Sequence, residues 1–435
     1  MRWSILTLSL FLPLTAHACP NLQPFYQYDD DVESQIALEA ALAPLMSECL
    51  RSPEFFALYG AALMETGKLA EALEMLERAL LLDPENGSAL IDYAQALYLR
   101  GQLFSAIDLN NQLSQRPELP ANVESLVSSR AKQWRRDTRS YGGQVDVLAG
   151  YDNNLNGAPD PNQITLTLSG EPVILTLNPE FQAISGPYLN LRVGGQFQQL
   201  ASDHQHNVST EIRSRTSEDA ASDLIQASVH YNYLLPKRDH AWQFGTGLNH
   251  LFFGGNPLYT AVDSNVRYQA VMTNKCTRRY DLAGQYQFYK GQSHLNSVES
   301  KLSAGIDCPV QVRGTTSLLG IELAAIQNTA MNEGRPGGNR AGWQASLAWQ
   351  VPMLKGLLTS QLSHTYLDDQ DGYSTLLDNG AERWVKRSFV LLQYRQMLRP
   401  NMALMFNVYH QNQHSNIELF DSVDSTLELG ISASF

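Results

Sequence analysis

From about residue 144 onward the chain alternates apolar and polar side chains with a period of two. Leu189, Leu191, Val193 and Phe197 interleave with Asn190, Arg192, Gln196 and Gln198, and Trp343, Ala345, Leu347, Trp349 and Val351 with Gln344, Ser346 and Gln350. Successive side chains of a strand point to opposite faces, so each such segment has one greasy and one wet face. The pattern predicts fourteen strands, near 143–152, 186–200, 206–217, 223–235, 240–254, 257–272, 277–290, 297–308, 315–329, 341–353, 356–369, 383–397, 401–414 and 425–435. Connections such as Pro236–Asp239, Leu354–Lys355 and Leu398–Pro400 are short, whereas 153–185, 330–340, 370–382 and 415–424 are long, and the two kinds fall on opposite rims. An even strand number, that asymmetry, and Trp and Tyr near strand ends suit a transmembrane antiparallel β-barrel. The wet faces predict a lumen lined by Gln, Ser and Asn; a soluble β-sandwich is the alternative reading.

Upstream the period is helical. Leu63, Gly67 and Ala72 recur as Leu97, Gly101 and Ala106, a 34-residue repeat of tetratricopeptide type. The first copy is complete and closes at Pro84; the second carries Asn110 and Glu118 at positions that are usually apolar or Pro, and is read as the last. Asp31 to Leu50 is expected to be a capping helix, and 122–136, with Arg130, Lys132, Arg135 and Arg136, a solvated basic helix joining two domains. If the solenoid binds a peptide, first-helix positions Ala57, Ala61, Met64, Ile91, Gln95 and Tyr98 would line its concave wall; otherwise it is a spacer.

The expected organisation is a leader over 1–18, a periplasmic helical domain over 19–138 and an outer-membrane barrel over 139–435. The leader has Arg2, an apolar run from Ile5 to Leu14 and a small-x-small Ala16-His17-Ala18 site. Cys19 after the cut leaves lipidation open. In an oxidising compartment four cysteines suggest the local pairs Cys19 with Cys49 and Cys276 with Cys308. A net charge of −13 without a long basic run argues against nucleic acid. The final segment Leu427–Phe435 alternates without a break through Gly430 to Phe435, which resembles the signal read by the bacterial barrel-assembly machinery.

Catalytic chemistry is not evident. The chain has no Gly-x-Ser-x-Gly, no His-Glu-x-x-His and no phosphate loop. His364 near Asp368 and Asp369 lacks a nucleophile, His204 and His206 lack further metal ligands, and Asp369, Asp371 and Gly372 are only a fragment of a calcium loop. No enzyme, metal or cofactor is expected.

Gly150-Tyr151-Asp152-Asn153-Asn154-Leu155-Asn156-Gly157-Ala158-Pro159 is similar to the first-strand end and following loop of the Slam family, the surface lipoprotein assembly modulators. His414-Ser415-Asn416-Ile417-Glu418-Leu419-Phe420-Asp421 resembles that family's C-terminal block. The resemblance implies a helical repeat domain and a fourteen-strand barrel that help a client lipoprotein, or a secreted haem- or metal-carrier protein, reach the surface across the lipid bilayer. An exopolysaccharide-export or solute porin is the alternative.

Overall fold

The structure, a computed structural model, describes residues 19–29, 31–117, 119–312 and 314–435. The expected leader lies outside them. The chain divides between Thr138 and Arg139 into two compact units.

In the first unit, helix α1 (Val32–Leu42) starts where the Asp31 carboxylate accepts from the backbone N–H groups of Glu33 and Ser34. It ends earlier than the expected Leu50, because Pro44 cannot donate to the ladder and the chain tightens into a 3-10 turn over Ala43–Ser47. Helices α2 (Pro53–Glu65), α3 (Leu69–Leu82), α4 (Gly87–Leu99), α5 (Leu103–Ser114) and α6 (Ala121–Asp137) follow. Ser52 and Asn86 cap α2 and α4 through their side chains. The repeat is visible in its turns: Gly67 and Gly101 both sit at φ 81°, and Lys68 N–H donates to Leu63 O just as Gln102 N–H donates to Leu97 O. Only glycine takes that conformation without penalty, which explains why it returns 34 residues later. Phe55, Phe56, Leu63 and Leu76 form the core, with Cys19 packed against it and bonded to Cys49. Helix α6 is not a solvated connector. It buries Val127 and Trp134 against α4 and α5, as the first helix of a further repeat would; Lys132, Arg135 and Arg136 are exposed but Arg130 is half-buried.

The second unit is a closed antiparallel barrel of β1 (Arg139–Asp152), β4 (Gly186–Leu200), β5 (Gln205–Ser217), β6 (Leu224–Pro236), β7 (His240–Phe253), β8 (Asn256–Val271), β9 (Thr277–Tyr289), β10 (Ser297–Val312), β11 (Thr315–Ala330), β12 (Arg340–Met353), β13 (Gly356–Ser374), β14 (Leu377–Arg399), β15 (Met402–Ser415) and β16 (Ser422–Ser434). The intervening β2 (Gln163–Leu168) and β3 (Glu171–Thr176) make a separate hairpin within the long first connection. Fourteen barrel strands match the sequence reading, with two differences. The chain is already extended at Arg139, and 370–382 is not a loop but the prolongation of β13 and β14, with register shifts after Asp368 and Gly372. A hairpin wetted on both faces carries no hydrophobic alternation to read. The connections at the rim where β1 begins are short; at the other rim they are longer, Gly254–Gly255 and the β13–β14 turn excepted.

The outward positions are apolar and exposed, Leu282, Leu302 and Leu323 among them. Near the short-turn rim aromatic rings cluster outward: Tyr141 lies 5.0 Å from Phe197 and Trp242 4.9 Å from Tyr268. An apolar belt edged by aromatic side chains is the surface a barrel offers to lipid. Cys276 and Cys308 form a disulfide at that rim, joining β9 to β10.

Candidate functional site: the lumen beside the closing strands

Closure of the barrel depends on β1 meeting β16, and that pairing spans nine residue pairs, Gln144–Asp152 against Thr426–Ser434, compared with eleven between β9 and β10 and sixteen between β10 and β11. Phe435 adds two backbone bonds to Gly143, and Gly430 pairs with Leu148. A side-chain clamp reinforces this junction from inside. On β1, Gly150 lies opposite both Glu428 of β16 and Tyr188 of β4. Having no side chain, it lets the Tyr188 ring cross above it; a Cβ there would stand 2.6 Å from Tyr188 Cζ. The Tyr188 hydroxyl then donates to Glu428 Oε1 at 2.8 Å, Asn190 Nδ2 donates to the same oxygen at 2.7 Å, and Asn407 Nδ2 of β15 donates to Oε2 at 2.9 Å. Three strands, β4, β15 and β16, are thereby tied through one buried carboxylate, across the face of β1.

Beside the clamp lies a cavity of about 460 Å³. Its wall is mixed. Leu148, Phe389, Leu391 and Met405 supply an apolar side, while Asp146, Asp152, Arg192, Glu211 and Arg215 supply charge. Gln144 Nε2 donates to both Asp146 oxygens, and Arg192 pairs with Glu211 at 2.7 Å. Farther round the lumen Arg267 pairs with Asp281, Arg279 with Asp307, and Lys301 with Glu322. The expected Gln/Ser/Asn lining is present, with Gln144, Gln196 and Ser209 near the closing strands and Gln344, Ser346 and Gln361 farther round, and ion pairs are laid through it. Arg279 and Asp307 are far apart in sequence and meet only through the strand register, which hydrophobic alternation does not encode.

The segment that carries the Slam resemblance builds the end of the site. Asp152 accepts from the Asn154 N–H and pairs with Arg215 at 2.9 Å, and Arg215 also donates to Leu155 O. Asn154 closes its own turn, its amide donating to Ala158 O and to Val423 O while its oxygen accepts from the Ala158 N–H. From there the hairpin of β2 and β3 reaches the extended β14 hairpin, where the Thr167 N–H donates to Leu376 O. The 155–184 connection is thus held at its start, through Leu155, and at its hairpin, through Thr167.

In the helical unit the proposed concave residues part company. Ala57 and Met64 are buried in the core, which corrects their assignment to an open wall. Ala61 and Gln95 are half-buried. The Ile91 carbonyl accepts from Arg130, and Tyr98 stacks on Trp134 at 5.1 Å while its hydroxyl donates to Asp137. Helix α6 occupies that part of the face. Asp92 was missed in the sequence because a lone acid on a helix looks solvated; burial pushes its carboxyl up to about 6, against the opposing effect of the Arg130 guanidinium.

The other sequence candidates are dispersed. His364 faces outward onto Ser388 and Trp343, whereas Asp369 faces the lumen. His204 and His206 stack edge to face, and His206 Nδ1 shares a hydrogen bond with the Tyr231 hydroxyl. Among the described residues no cluster of three metal-ligating side chains occurs.

Residues 63–128 match the tetratricopeptide repeat family. No curated protein matches the chain. Among solved structures it is similar to an anion-selective porin from Comamonas acidovorans, at 11% identity over 68% of this chain and 99% of that one, with a TM-score of 0.38. OmpT of Vibrio cholerae, an outer-membrane protein, matches at 8% identity over 68% and 97%, also with a TM-score of 0.38. The Yersinia enterocolitica type III secretion chaperone SycD, in complex with a peptide of the translocator YopD, matches at 16% identity over 24% and 82%, with a TM-score of 0.23.

Proposed function

We propose that the protein is an outer-membrane translocon that helps a client lipoprotein, or a secreted haem- or metal-carrier protein, reach the cell surface, as its resemblance to the Slam family implies. The supporting observation is the pairing of a short closing junction with a lumenal cavity whose wall is part apolar and part charged. A crossing polypeptide presents both kinds of side chain, and a junction with few backbone bonds is the cheapest place for a barrel to part. In this reading the helical unit stands in the periplasm and receives the client, and the Leu427–Phe435 strand is what the barrel-assembly machinery recognises. The test is co-expression with candidate clients in intact cells, followed by external protease. A client that becomes accessible only in the presence of this protein supports the reading; clients that stay protected sink it.

A second reading is favoured by the ion-pair lattice in the lumen, which suits a porin for solutes or for exported polysaccharide. Steady high conductance of the purified barrel in a planar bilayer, with no client displayed, would replace the first reading by this one.

A further inference from the structure

At the rim opposite the start of β1, three arginines converge on one acid. Arg340 opens β12, Arg383 faces it from β14, and Arg335 folds in from the 331–339 connection; Asp369 of β13 lies among them. Arg383 Nε and Nη2 donate to Asp369 Oδ2 and Oδ1 at 3.0 and 3.3 Å. Arg340 Nε stands 2.8 Å from Oδ1, an ion pair by distance whose N–H is not aimed at the oxygen. The rings of Tyr373 and Phe420 lie 4.5 and 4.3 Å from the Arg383 guanidinium and fix its plane. Arg335 is only 9% exposed; its Nη1 donates to Asn328 Oδ1 at 2.6 Å, and its Nε meets no acceptor.

The charges do not balance. Among the described residues Asp369 is the one carboxylate that pairs with these arginines, holding Arg340 and Arg383, while Arg335 has no ion-pair partner. Glu299 touches the cluster only through Asn328, whose amide donates to it at 3.4 Å, and Asp371 is exposed beside Gly338. Arg335 is buried and Arg340 partly so, and guanidiniums withdrawn from water in excess of their counter-charge are costly unless an anion completes them. The planar fork of Arg matches the oxygens of phosphate and carboxylate groups.

We propose that this arginine cluster binds an oxyanion of the phosphate class, with Arg335 and Arg340 as its ligands and the Arg383–Asp369 pair as its rigid floor. The site is independent of client transfer, and its test has no display readout. Titrate inorganic phosphate into the full-length protein in uncharged detergent and chloride-free buffer by calorimetry, and in a second arm titrate mixed micelles carrying phosphatidylglycerol. Saturable binding in the first arm assigns a free anion, and binding in the second alone assigns a lipid headgroup; both support the proposal. Arg335→Gln, which leaves the floor intact, should weaken binding at least tenfold while the barrel keeps its heat-modifiable migration in gels. Binding unchanged in Arg335→Gln, or no binding in either arm, overturns the assignment.

Discussion

Glu428 is held by three neutral donors and no cation, so its value to the fold is in directed hydrogen bonds rather than in charge pairing. Replacing it by Leu strands those donors, and the expected loss is about 1–3 kcal/mol; urea unfolding in lipid vesicles reads it, with Glu428→Gln recovering part. Gly150→Val should cost a similar amount, about 1–3 kcal/mol, by driving Tyr188 off its carboxylate. Gly284, whose Cβ position is open, is the control: Gly284→Ala should unfold with the native midpoint. A second residue-scale expectation concerns Asp92. Burial pushes its folded carboxyl up to about 6, above the ordinary 3.8 of the unfolded group, so the folded state holds the proton more tightly between those values. Stability therefore falls as pH rises from about 4 to about 6, and above that window Asp92 is a standing liability. Hydrogen exchange along α4 in the full chain, corrected for intrinsic rates, should show greater protection at pH 5 than at pH 8, and Asp92→Asn should abolish the difference.

At the scale of elements, α6 belongs to the repeat stack by its packing rather than by its sequence. Trp134→Ala removes the buried ring that stacks on Tyr98, and the expected cost is about 3–5 kcal/mol. Limited proteolysis should then cut within α5 and α6 first, sparing α2 and α3. The helix itself was legible in the sequence, but its partner was not, because Val127 and Trp134 stand a full two turns apart among Arg130, Lys132, Arg135 and Arg136 and look isolated until α4 and α5 are in place. The barrel strands were legible for the opposite reason. A wall with lipid on one side and water on the other forces every residue to declare its face, so Leu189–Val193 or Trp343–Val351 disclose themselves. That rule lapses where the wall leaves the membrane: the β2–β3 hairpin and the β13–β14 extension escaped notice. It is also silent on the lumen. Alternation says that Arg279 and Asp307 point inward, but only the register, with Arg279 opposite Gly305, brings them within 2.7 Å.

At the scale of the molecule, the short junction of β1 and β16 makes a prediction that the rest of the wall serves to control. Cysteines at the outward pair Val147 and Ile431, oxidised, would lock the closing strands. If clients leave through that junction, display should stop on oxidation and resume on reduction, whereas a pair at Leu302 and Leu282, on β10 and β9, should have no effect. Display that continues through a locked junction would send the client through the lumen instead.

The two native disulfides differ in what they restrain. The Cys276–Cys308 bridge joins strands already held by eleven register pairs, so the hairpin keeps its place without it. Cys19–Cys49 is another matter: it holds the stretch ahead of α1, whose Leu22 and Phe25 rest against the helical core with no sheet to retain them. A reductant would thus leave the barrel standing while freeing that stretch like a mooring line cast off, and a cell poor in thiol oxidase would make a sound barrel whose helical unit has a loosened leading edge.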